Sequence, residues 1–119
     1  MQIHEAAEMY LETILVLQNR TGCVRSIDIA NEMGYSKPTI SVAMKQFRED
    51  GYILVDEKGV ITLSDKGQKI AERVYDRHKS ISAFLVAIGV SEETAAVDAC
   101  KIEHDISDET FNCIKKHLK

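Results

Sequence analysis

Ala30, Gly34 and Ile40 constrain this chain more than any other residues in it. Two helices that cross closely at a tight corner need a small residue on the first, four positions before the turn. The first residue of the turn takes positive φ, which glycine adopts without steric cost. An aliphatic residue six positions on then seals the corner from the second helix. All three stand at that spacing, and Met44 and Phe47 continue the inward face of the second helix. Ser36 caps that helix, and Pro38 is acceptable because first-turn amides have no intrahelical partner. The pattern predicts a short helix over residues 25–33, with Ile27, Ala30 and Met33 inward. A turn at Gly34-Tyr35-Ser36 and a helix from Lys37 to Asp50, closed by Gly51, complete a helix-turn-helix.

Around this unit the periodicity extends in both directions. Tyr52–Val55 and Val60–Leu63 are β-branched-rich runs flanking Asp56-Glu57-Lys58-Gly59, which predicts a hairpin wing. Ala7, Tyr10, Leu11, Ile14 and Leu17 form one apolar stripe on a helix over residues 5–19. Ser64 caps a long helix reaching about Ile88, and Gly89 breaks it. Ser91 caps another, and Ser107 or Asp108 begins the last. The expected fold class is mostly α, a winged helix-turn-helix over residues 1–72 followed by a helical domain over 73–119. Cys23, Cys100 and Cys113 are odd in number and argue against a disulfide framework. No apolar run reaches the roughly 20 residues of a membrane span, and no signal peptide is visible. A cytoplasmic protein is expected.

The net charge of −4 hides a division. Residues 20–77 hold ten Lys/Arg and nine Asp/Glu, whereas the flanks hold five basic and ten acidic residues. The middle is free to approach phosphate. On the outer face of the second helix, Ser36, Lys37, Pro38, Thr39, Ser41, Val42 and Lys45 form the candidate DNA-reading surface. Short polar groups, the proline and Val42 suit base edges and thymine methyls, and the lysines suit phosphates. Arg25 and Lys58 are further phosphate candidates. One lysine alone is more simply a solvated side chain; the full triplet, the basic face and the hairpin together point to DNA.

The acidic flanks carry a different chemistry. Cys100, Glu103 and His104 stand at i, i+3 and i+4, within an arc of ~100° on a helix, and can aim at one point. Ala95, Ala99, Ile102 and Ile106 form a separate aliphatic face, so the donors are expected away from the core side. A thiolate with oxygen and nitrogen partners suits a first-row transition ion rather than Mg²⁺ or Ca²⁺. Met9 lies ~140° from the centre of its helix's apolar stripe, beside Glu5 and Glu12, where a thioether ligand becomes credible. His78 continues the line Ile70, Val74, His78, Ile81, Leu85, which fits a core histidine and a ligand equally. Cys23 and Cys113 are expected as small buried hydrophobes, and His4 and His117 as solvated chain ends.

A winged helix preceded by Glu8-Met9-Tyr10-Leu11-Glu12, then Arg77-His78, then Cys100-x-x-Glu103-His104, resembles the metal-dependent repressors of the diphtheria-toxin-repressor and manganese-transport-regulator group. The resemblance covers nearly the whole chain. It implies a metal-activated repressor, a homodimer that binds a palindromic operator and controls metal-uptake genes when a divalent ion is bound. It also makes residues 73–119 a metal-binding and dimerisation domain. Met9, Cys100, Glu103 and His104 match the primary site of the iron-responsive branch, and Glu12 and His78 match ligands of the manganese-responsive branch. Ser82 and Ala96 stand where the iron branch has an acid and a second histidine at its ancillary site. Sulfur donors favour Fe²⁺ as co-repressor, with Mn²⁺ next. The alternative is a winged-helix regulator that senses redox through Cys100. No catalytic pocket motif or substrate-binding glycine loop is present, so neither an enzyme nor a small-molecule substrate is expected.

Overall fold

The computed structural model describes residues 5–118, which divide into two compact units, one ending at Glu72 and the other beginning at Arg73. The first unit starts with α1 (Glu5–Thr21), α2 (Ser26–Met33) and α3 (Lys37–Glu49). α1 runs two residues past its predicted end. There the Thr21 hydroxyl donates to the Leu17 carbonyl at 3.0 Å. Leu11, Ile14, Leu15 and Leu17 are its buried residues, and α1 packs on α2. Arg25 stands just outside α2, its backbone N–H donating to the Asp28 carboxylate at 2.9 Å.

The corner between α2 and α3 forms on the predicted triplet. Gly34 takes φ 72° and, with Tyr35, donates to the Ala30 carbonyl at 2.9 and 3.1 Å. Ile40, Met44 and Phe47 are buried. One expectation fails: Ile27 is 40 % exposed, and Ile29 takes the fully buried place. Residues two apart on a helix point ~200° apart, so only one of the two isoleucines can face the core. The contacts of α2 with α1 and α3 enclose the face of Ile29 and Ala30.

The wing is β1 (Ile53–Val55) paired antiparallel with β2 (Ile61–Leu63), Leu54 opposite Thr62, each strand one residue shorter than predicted. Val24 extends it by a bridge, the Ile61 N–H donating to the Val24 carbonyl at 2.7 Å. At the tip, one Asp56 carboxylate oxygen accepts from the N–H groups of Lys58 and Val60 at 2.8 and 2.9 Å. α4 (Asp65–Ala87) begins against this hairpin. The Ser64 hydroxyl caps it, accepting from the Gly67 N–H at 3.1 Å and donating to the Gly51 carbonyl at 2.6 Å. Gly67 lies so close to the Tyr52 carbonyl that a Cβ would collide with it.

The second unit comprises α4 from Arg73 onward, α5 (Glu92–Ile102) and α6 (Asp108–His117). Ile81, Ala99 and Phe111 are its buried centre, with Leu85, Ile102 and Ile106 packed against them. Ser91 and Ser107 cap α5 and α6, accepting from the N–H groups of Thr94 and Thr110. Cys23 and Cys113 are exposed, contrary to expectation. Beside Cys23 it is Val24 that enters the core, and on α6 Phe111 does so, leaving Cys113 two positions away on the other side. His117 is exposed but meets the Phe84 ring edge-on at 5.6 Å, and His4 lies outside the described residues. No helix among the described residues is long and apolar enough to cross a membrane.

Candidate metal centre and nucleic-acid interface

Three candidate ligands stand at the end of α5. Cys100 lies in its last turn, Glu103 at its C-cap and His104 one residue beyond. Helical hydrogen bonding continues through this turn, with the Glu103 N–H donating to Ala99 at 2.9 Å and the Ile106 N–H to Ile102 at 3.2 Å. That continuity keeps positions 100, 103 and 104 on one side. One donor atom from each lies within 4.8 Å of the other two. Donors bonded at roughly 2.0–2.3 Å to one ion lie no more than about 4.6 Å apart, so little adjustment would close a shell around it.

α4 contributes His78, whose Nδ1 sits 3.2 Å from Glu103 Oε2, while His104 Nε2 sits 3.3 Å from Glu103 Oε1. Glu103 is 2 % exposed, and neither of its carboxylate oxygens accepts a hydrogen bond from a described residue. A buried carboxylate without hydrogen bonds is costly unless a cation answers it. Sulfur, carboxylate oxygen and imidazole nitrogen directed at one point fit a first-row divalent ion. The expected separation of donors from core does not hold for Glu103. Glu103 stands four residues after the fully buried Ala99, ~40° around a helix whose hydrogen bonding continues past Ile102, and so falls on the inward side, where His78 of α4 meets it.

Arg77, noted in the sequence only as the neighbour of His78, holds this turn in place. Its guanidinium donates to the Ile106 carbonyl at 3.0 Å and lies over the Phe111 ring, 5.1 Å from its centroid. Nothing in the sequence beyond that adjacency announces the role. Met9 and Glu12 are half-buried on α1, in the first unit. The side chain of Glu5 lies outside the described residues.

The candidate reading surface belongs to the first unit. Ser36, Lys37, Pro38, Thr39, Ser41, Val42 and Lys45 are all exposed along α3, Val42 at 72 %. The Ser36 hydroxyl caps α3, accepting from the Thr39 N–H at 3.3 Å and pairing with the Thr39 hydroxyl at 2.8 Å. Arg25 braces the wing, its Nε donating to the Lys58 carbonyl at 3.3 Å, which leaves the Lys58 ammonium at the tip. On the inner side, Tyr10 of α1 stacks against Tyr35 and Phe47, and Phe47 meets Tyr52. Burial, and then the neighbouring Tyr35 hydroxyl, push the Tyr10 hydroxyl above its ordinary value.

Residues 2–61 match the family described as iron dependent repressor, N-terminal DNA binding domain, and residues 64–119 match its metal binding and dimerisation domain. The transcriptional regulator MntR of Salmonella typhi is 35 % identical over 109 residues, 91 % of this chain and 69 % of that protein. An uncharacterised HTH-type transcriptional regulator of Methanocaldococcus jannaschii is 32 % identical over 113 residues, 93 % of this chain and 90 % of that one. Among solved structures, the manganese regulator SloR superposes with TM-score 0.80 at 28 % identity, covering 99 % of this chain and 54 % of its own. A manganese-dependent transcriptional repressor in complex with manganese superposes with TM-score 0.84 at 29 % identity, covering 94 % and 52 %. The chain thus spans about half the length of these solved regulators. With its two halves matched in order to a DNA-binding and a metal-binding domain, the chain belongs to the iron-dependent repressor family of metal-dependent transcriptional regulators.

Proposed function

We propose that this chain represses transcription when a divalent ion occupies a centre built on Cys100, Glu103, His104 and His78, with Met9 and Glu12 as its further donors. The observation that carries the reading is the Glu103 carboxylate, buried, without a hydrogen bond from the described residues, and faced by two imidazole nitrogens. A bound ion supplies the positive charge that holds these donors together. Cys100 and Met9 bring sulfur, which favours Fe²⁺ over Mn²⁺ at equal availability. The similar solved regulators named for manganese give Mn²⁺ at least equal standing. Cys100 is half-buried among metal-type donors, which favours ligation over the redox reading.

In this reading a homodimer in the cytoplasm places α3 of each protomer in successive major grooves of a palindromic operator and controls metal-uptake genes. The exposed Val86, Ile88, Val97 and Leu118 of the second unit are the apolar groups available for dimer contacts. Metal and DNA must strengthen each other's binding by the same factor. The test is anaerobic binding to the DNA upstream of the protein's own gene, with Fe²⁺, Mn²⁺ or excess chelator. Binding with metal and none with chelator is expected, and binding indifferent to chelator overturns the reading.

A further inference from the structure

The first unit contains a cleft of about 220 Å³ that begins at Ser41 and Lys45 of the candidate reading surface and runs beyond it to Ser26 and Arg48. Ser26 at the start of α2, Ser41, Lys45 and Arg48 on α3, and Val55 and Ile61 of the wing line it. Ser41, Lys45 and Arg48 form one stripe, the later two about 6 and 10 Å along the helix axis from Ser41. The side chains of Lys45 and Arg48 make no ion pair or hydrogen bond with a described residue. Arg20, by contrast, is paired with Glu32 at 2.9 Å, and Lys66 lies over the Tyr52 ring. Nearby acids are engaged: Asp28 accepts from the Arg25 N–H, and Asp50 from the Gln46 amide. The cleft therefore offers two uncompensated cations and two hydroxyls over an apolar floor.

Such a lining suits a phosphate. Recognition helices read bases from their N-terminal residues, so the same stripe, followed toward the C-terminus, leaves the bases and meets the groove wall. We propose that Arg48 and Ser26 clamp one backbone phosphate of bound DNA in this cleft, with Lys45 on the neighbouring phosphate. The inference rests on the DNA-binding reading above and adds Arg48 and Ser26 to the surface it uses. Arg48 then contributes affinity without sequence preference.

The test is the salt dependence of binding, with the Mn²⁺-loaded chain, to a duplex from upstream of its own gene and to the same duplex scrambled. Each phosphate neutralised contributes about 0.9 to the slope of log affinity against log salt, so Arg48→Gln should lower a dimer's slope by about 1.8. Affinity for both duplexes should fall by the same factor. Arg48→Lys should keep most of the slope, and the melting midpoints of both variants should match the parent. An unchanged slope, or a loss confined to the promoter duplex, overturns the clamp while leaving DNA binding intact. Parent protein that binds neither duplex with metal overturns the DNA reading itself, and the clamp with it.

Discussion

The Tyr10 ring meets the Phe47 ring edge-on, with centroids 5.5 Å apart and planes at 63°. Tyr10 directly follows Met9 on α1, and Phe47 lies on the inner face of α3. The helix proposed to supply Met9 and Glu12 is thereby tied by one aromatic pair to the helix proposed to enter DNA. A second pair joins Tyr10 to Tyr35 in the turn between α2 and α3.

Tyr10→Ala removes both pairs and should cost roughly 2–3 kcal/mol of stability, whereas Tyr10→Phe keeps the rings and should cost under about 0.5. Urea melts separate the two variants. The same residue carries a pH dependence. Its hydroxyl titrates higher in the folded chain than its ordinary value of 10.0, so folding favours the protonated form. That contribution is complete below pH 10 and is lost as pH rises through the raised value. Melts across this alkaline range should show a steeper loss for the parent than for Tyr10→Phe; equal slopes would remove Tyr10 from the effect.

His104→Ala deletes an imidazole whose side chain is 1 % exposed beside Glu103. Loss of an outer partner at metal sites costs 10–100-fold, so loss of a ligand should weaken metal affinity by more than about 100-fold. Metal-dependent DNA binding should disappear while the dimer, measured by sedimentation, stays folded. An undiminished metal response would take His104 out of the centre.

The three thiols should separate by rate. Cys23 and Cys113 are exposed and should react promptly with a thiol reagent in the native protein. Cys100, half-buried, should react more slowly, and Mn²⁺ or Zn²⁺ should slow it further. Counting released chromophore over time with and without metal reads this directly, and a Cys100 rate that ignores metal contradicts its ligand role.

Gly67→Ala should destabilise the first unit. The new methyl would strike the Tyr52 carbonyl, where the first turn of α4 presses on the start of the wing. Overpacking of this kind costs about 1–3 kcal/mol. A thermal melt equal to the parent's would show that the helix start can shift without loss.

The helix-turn-helix was legible because its residues act locally. Ala30, Gly34 and Ile40 satisfy steric conditions set within one corner, and spacing alone reveals them. Which isoleucine of α2 turns inward depends on where α1 and α3 lie, so Ile27 was misplaced. The donors Cys100, Glu103 and His104 were legible for the same local reason. The burial of Glu103 was not, because it depends on α4, which comes 25 residues earlier in the chain and brings His78 against it. The role of Arg77 was not legible, because it acts through Ile106, 29 residues further along the chain.

α5 opens with Glu92 and Glu93 and closes at the ligand turn, with Lys101 in its last turn. Its aligned peptide dipoles gather partial negative charge at the closing end. A cation collected by Cys100, Glu103 and His104 would sit in that field, so the helix that spaces the donors also lowers the energy of what they hold. The two glutamates at the opposite end favour the same polarity. Glu92 also lines one cavity with His78 of α4, so the opening turn of α5 reaches toward a candidate donor as well.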